Sequence, residues 1–126
     1  MKYSSLLIYP ALVIMVLFLS CGKEQDPIDI LTSTSWKLVS FNSYVEPEPL
    51  WDCDMDDSYT FNTDGSVTID RRQTCEGGDL EFEPSRWSLS ENGTIITLDG
   101  YSCSVDISED ELLIVTGFFS LRFIPY

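Results

Sequence analysis

From Trp36 onward the chain alternates apolar and polar residues in short runs separated by turn dipeptides, with no sustained helical period. The pattern predicts eight strands, at 36–42, 54–62, 66–74, 85–90, 94–98, 101–107, 111–116 and 119–125. Residues 28–35 predict a short turn or helical cap before the first strand. The expected fold is all-β.

Turn chemistry tests this reading, because turn residues set the register and register decides which side chains share a face. Asn62-Thr63-Asp64-Gly65-Ser66 suits a three-residue loop with Gly65 in the left-handed region, so that Phe61 faces Val67, Tyr59 faces Ile69 and Thr60 faces Thr68. The same ladder, continued, brings Asp57 to Arg71, Asp56 to Arg72 and Cys53 to Cys75 as a non-hydrogen-bonded pair, where Cα atoms approach to ~4.5 Å and a disulfide closes. Asn92-Gly93 and Asp99-Gly100 are two-residue hairpin signals that set Leu89 against Ile96, Trp87 against Leu98, Leu98 against Tyr101 and Ile96 against Cys103. A loop over 108–111 pairs Ile107 with Leu112, and Gly117-Phe118 pairs Thr116 with Phe119. One apolar face then runs through the last five strands, to which the first adds Trp36 and Leu38. The other face is largely polar, Leu113, Val115 and Ile124 excepted.

Eight antiparallel strands with one apolar and one polar face predict a closed up-and-down barrel, since closure removes the sheet edges. A two-sheet sandwich shares the same alternation.

The chain before the strands reads as an address. Lys2 precedes an apolar run, 6–19, which ends at Ser20-Cys21-Gly22, the layout of a secretory signal peptide. The run is shorter than the ~20 residues of a membrane span, and Pro10 interrupts it. Phe18-Leu19-Ser20-Cys21 resembles the bacterial lipobox, with Phe18 where Leu is usual. That resemblance implies a signal peptide over 1–20 and a lipidated Cys21 whose acyl chains, palmitate-type, supply the membrane affinity. Residues 21–30 are then a tether, and 31–126 the barrel domain. Gly22-Lys23-Glu24-Gln25-Asp26 is similar to the charged segment after the lipidated cysteine of surface lipoproteins. The expected location is the outer membrane, lipid-anchored, on its periplasmic or cell-surface face.

Charge and composition narrow the functions. Seven Lys and Arg stand against 21 Asp and Glu for a net charge of -14, which argues against nucleic acid as a partner. The chain has no histidine, so every triad or zinc site built on that side chain is excluded. With Cys21 lipidated and Cys53 paired to Cys75, Cys103 remains as a small hydrophobe on the inner face. Asp52-x-Asp54-x-Asp56 mimics the start of a calcium loop, but Asp57 replaces the required Gly and Thr63 the closing Glu, and the three aspartates read as one solvent face. Glu76, Asp79, Glu81 and Glu83 read as a solvated acidic loop. No metal, cofactor or catalysis is expected.

Thr34-Ser35-Trp36, at the start of the first strand, resembles the Gly-x-Trp motif of lipocalin-like domains, with Thr34 in place of Gly. Cys53, 56–62, Asp64-Gly65, Cys75 and Trp87-Ser88-Leu89-Ser90 before Gly93-Thr94-Ile95 are similar to small lipocalin-like lipoproteins of Bacteroidetes. The resemblance covers residues 31–124 and implies an eight-stranded barrel, a secreted lipid-anchored location and binding of a small hydrophobic or amphipathic ligand. Trp36, Tyr59, Phe61, Trp87, Tyr101, Phe119 and Phe123 all face inward in the expected register, and either fill the barrel or line a hollow in it. The hollow reading sets Tyr59, Phe61, Trp87 and Tyr101 against the ligand, with Trp51 near the entrance. The alternative reading is a barrel that acts through loops 43–53 and 73–84 as a protein-interaction or inhibitor module, by analogy of fold.

Overall fold

The structure, a computed structural model, describes residues 25–45, 50–76 and 82–126. The expected signal peptide, Cys21, the start of the tether, and the acids Glu46, Glu48, Asp79 and Glu81 lie outside the described residues.

A short helix α1 (Pro27–Ser33) precedes eight strands: β1 (Trp36–Ser43), β2 (Ser58–Phe61), β3 (Val67–Asp70), β4 (Trp87–Leu89), β5 (Ile95–Leu98), β6 (Tyr101–Ile107), β7 (Leu112–Val115) and β8 (Phe119–Pro125). They form one antiparallel sheet in the order β3-β2-β1-β8-β7-β6-β5-β4. Its outer strands meet through an isolated bridge between Ser66 and Arg86, supported by Val67 N donating to Ser85 O at 3.0 Å and Trp87 N to Gly65 O at 2.9 Å. The sheet is therefore a nearly closed up-and-down barrel, because these bonds use the backbone groups that two open edges would leave unpaired.

The hairpin registers follow the turn residues. Tyr59 pairs with Ile69, Thr60 with Thr68 and Phe61 with Val67. Gly65 has φ +87 in the loop that joins those strands. Trp87 pairs with Leu98, Leu89 with Ile96, Ile96 with Cys103, and Ile107 with Leu112. Asp99 and Gly100 both have positive φ, 49 and 88, as a tight two-residue hairpin turn requires. The loop after β4 differs from its expected two-residue form. Gly93 N donates to Ser90 O at 2.9 Å and Ser90 N to Ile95 O at 2.9 Å, which makes a wider loop with the same register.

Strands β2 and β3 are shorter than the pattern predicts. Residues 52–56 form turns, so the ladder ends at Ser58 opposite Asp70. Arg71 still reaches Asp57 at 3.1 Å, whereas Arg72 lies over the Tyr126 ring, 4.7 Å from its centroid, and not against Asp56. Cys53 and Cys75 are bonded with Cα atoms 5.4 Å apart. They join two loops beyond the strands rather than a ladder pair. Asp54 is buried in the turn, so the aspartates of 52–56 do not share a solvent face.

Helix α1 starts at Asp26, whose carboxylate accepts from Ile28 N at 3.1 Å, with Pro27 at the first helical position, where its missing N–H costs no bond. It packs against β2 and β6, which lie four strands apart around the ring, and so crosses one end of the barrel. Leu31 is buried under it, and Trp36 Nε1 donates to Leu31 O at 3.0 Å. Trp87 Nε1 donates to Asn62 O at 2.9 Å, which ties a second indole to a turn at the same end. This end is closed.

Candidate functional site

The other end carries the long connections, β1 to β2 and β3 to β4, and the tight turns at 99–100 and 116–118. Between those turns and residues 82–84 lies a cavity of ≈ 580 Å³. That volume falls within the range of small-molecule sites, roughly 300–1,000 Å³. Its apolar wall is made by Phe82, Leu98, Tyr101, Cys103, Phe118 and Phe119.

Alternation explains how these side chains converge. Cys103 and Val105 on β6 point inward and are buried, and Tyr101 continues that face two residues nearer the mouth. There the inward side of the strand has outrun the packed interior, and Tyr101 is 79% exposed. Phe119 opens β8 across the ring and packs its edge on Phe82 with centroids 6.3 Å apart. Phe118, at the tip of the β7–β8 turn, is 71% exposed and forms the rim.

Phe82 divides the barrel in two. It belongs to the β3–β4 connection, yet its ring lies 5.7 Å from Tyr59 and 6.4 Å from Phe123. Tyr59 Oη donates to Phe82 O at 3.3 Å, and burial raises the pKa of this phenol, so it stays a donor at any ordinary pH. Below this layer the interior is packed: Trp36, Leu38, Tyr59, Phe61 and Phe123 are fully buried, and Phe61 meets Trp87 edge-on at 6.1 Å.

Two carboxylates fix the edge of the mouth. Asp99 accepts from Ser85 Oγ at 2.8 Å, Arg86 N at 2.8 Å and Ser85 N at 3.1 Å. The Ser85 hydroxyl, followed by the two backbone N–H groups, holds its carboxyl below the usual carboxylate range. Glu83 pairs with Arg71 at 3.1 Å, and the same guanidinium holds the buried Asp57 at 3.1 Å. The segment 82–86 is thus tied to the β5–β6 turn, to the turn before β2 and to Tyr59, and the Cys53–Cys75 disulfide links the two long connections on this end.

Of the five side chains expected against a ligand, the structure places only Tyr101 on this cavity. Tyr59, Phe61 and Trp87 form the packed interior beneath Phe82, because eight strands enclose little more space than such side chains fill. Trp51 stands on the β1–β2 connection, 64% exposed and off the cavity wall. Phe82 and Phe118 were not expected there, whereas Phe119 was expected to face inward but was not set against the ligand. The first two sit in loop and turn positions to which strand alternation assigns no face.

The cavity wall holds one thiol among the described residues, Cys103, whose pKa burial raises and whose Sγ contacts Tyr101 O at 3.8 Å. A thiol of raised pKa reacts slowly and packs as a small hydrophobe. Among the described residues, the grouping with metal-type ligand atoms is Cys53, Asp54 and Cys75, and its two sulfurs are bonded to each other.

No curated protein matches the chain, and no solved structure does. A family match spans residues 33–113, from the end of α1 through the start of β7, and so includes Trp36, the disulfide, and Phe82 to Cys103 of the cavity. On that match, with an eight-stranded barrel to carry it, the chain belongs to the family of lipocalin-like domains.

Proposed function

We propose that this protein is a lipid-anchored, extracytoplasmic, non-catalytic binding protein of the outer membrane that takes a small hydrophobic or amphipathic molecule into the cavity at its open end. The observation that carries the reading is the cavity of ≈ 580 Å³ walled by Phe82, Leu98, Tyr101, Cys103, Phe118 and Phe119. Burying a ligand there removes apolar surface from water on both partners, at roughly 25 cal/mol per Å². The anchor rests on Phe18-Leu19-Ser20-Cys21 and the apolar run before it. A second reading, a loop-borne interaction module, draws support from Tyr44, Val45 and Trp51, exposed on the β1–β2 connection.

Native mass spectrometry of the protein released gently from its own membrane tests the first reading. The expected spectrum shows a defined extra mass that is lost on activation. A folded Cys103→Phe variant, which fills the cavity, should not carry it. An unliganded wild-type protein, or a Cys103→Phe variant that keeps the extra mass, would overturn the proposal.

A further inference from the structure

We infer that the open-end cavity selects cationic amphiphiles, molecules with an ammonium-type head on an apolar body, over carboxylate lipids such as fatty acids. This rests on the ligand-binding reading above and names the chemical class of the ligand.

The charges around the cavity carry the inference. Among the described residues its only charged wall residues are Glu83 and Asp99, and no Lys or Arg lines it. None of the five described cations lines the cavity, and Lys37 alternates outward on β1 between the buried Trp36 and Leu38. Arg71 stands between Asp57 and Glu83, one guanidinium for two carboxylates. Arg72 lies on Tyr126, and Arg122 pairs with Glu111 at 2.9 Å. Arg86 is off the cavity wall, with its Nη2 3.4 Å from the place a Cβ on Gly65 would take, although its charge still acts on Asp99. The loop residues outside the described ones, 46–49 and 77–81, contain neither Lys nor Arg. A carboxylate head at this mouth would lose hydration with no cation on the described wall to receive it, in the field of a chain of net charge -14.

A cation meets the opposite surroundings. Four rings, Phe82, Tyr101, Phe118 and Phe119, contribute to the wall, and aromatic faces attract ammonium groups within about 6 Å of the centroid. Glu83 is largely exposed at the edge, where its carboxylate adds long-range attraction without closing the cavity. Asp99 supplies a second negative charge whose geometry is locked by Ser85 and Arg86 N.

The test compares three probes of one shape on the full-length protein in zwitterionic nanodiscs: 4-phenylbutyltrimethylammonium, its neutral tert-butyl isostere and 5-phenylpentanoate. Binding is read as protection of Cys103 from a small thiol reagent, quantified on its own peptide. The cation should bind at least about tenfold tighter than the anion at low salt, with the neutral probe between them. The gap should shrink several-fold at high salt, which screens exposed charge. Glu83→Gln should narrow the gap between cation and anion. Equal affinities, or a preference for the anion, overturn the selectivity while leaving ligand binding intact. Failure of all three probes to protect Cys103 overturns both.

Discussion

The two ends of this barrel are built from the same inward alternation and reach opposite results. At the closed end Leu31, Trp36, Phe61 and Trp87 are buried, α1 crosses the opening, and both indole N–H groups are spent on backbone carbonyls. At the open end Tyr101 and Phe118 stand in solvent around a cavity, and the loop segment that reaches inward is pinned by Tyr59, Arg71 and Asp99. A barrel of this size fills itself wherever large side chains meet across it. It stays hollow only where the strands outrun that packing.

That contrast breaks most visibly under truncation of one aromatic at each end. Trp36→Ala should cost about 3–5 kcal/mol, the usual penalty for deleting a large buried ring, and Phe118→Ala within about 0.5 kcal/mol. Denaturant midpoints check both. Similar losses at the two ends would contradict the division into packed and open halves. Removing the disulfide with Cys53→Ser and Cys75→Ser opens a link of sequence separation 22, worth about 3 kcal/mol in the chain-entropy model. Because that link lies between loops of the open end, hydrogen exchange should rise there before it rises in α1 or β1.

The closed end can be loosened from outside. Gly93 has φ +71, and a Cβ there would lie 2.7 Å from Pro27 Cγ. Gly93→Ala should therefore cost about 1–2 kcal/mol for the left-handed backbone alone, and it should also lift the start of α1. Faster exchange at Trp36 Nε1 would report that movement, and an unchanged rate would show that α1 is seated independently of this loop.

The smallest effect is at Cys103. Burial raises its thiol pKa, so folding favours the neutral form. Its contribution to stability is present below the ordinary thiol pKa and is lost as pH rises through the raised value. Alkylation of Cys103 should lag that of an unfolded control at pH near 8.5 and approach it only at higher pH. Equal rates at the lower pH would place the thiol in open solvent.

Much of this was legible in the residues because hairpins are local. Gly65, Asp99-Gly100 and Gly117-Phe118 fix registers over a few positions, and each register then assigns inward faces by a period of two. The Cys53–Cys75 pairing followed from extending one such register, although the strands stop before reaching it. Turn formation at 52–56 buries Asp54 and breaks the ladder, which alternation could not foresee. The loop that places Phe82 over Tyr59 has no periodicity, so nothing in the chain announced that it would part a filled interior from an open cavity.

The sequence by itself determined that there are eight strands, the registers of their hairpins, the apolar face and the acidic balance, since each depends on neighbours a few residues apart or on composition. Tertiary structure alone decided which inward side chains are walls and which are filling. That choice is volumetric: it depends on how far Trp36, Tyr59, Phe61, Trp87 and Phe123 reach across the ring, and on where Phe82 comes to rest above them.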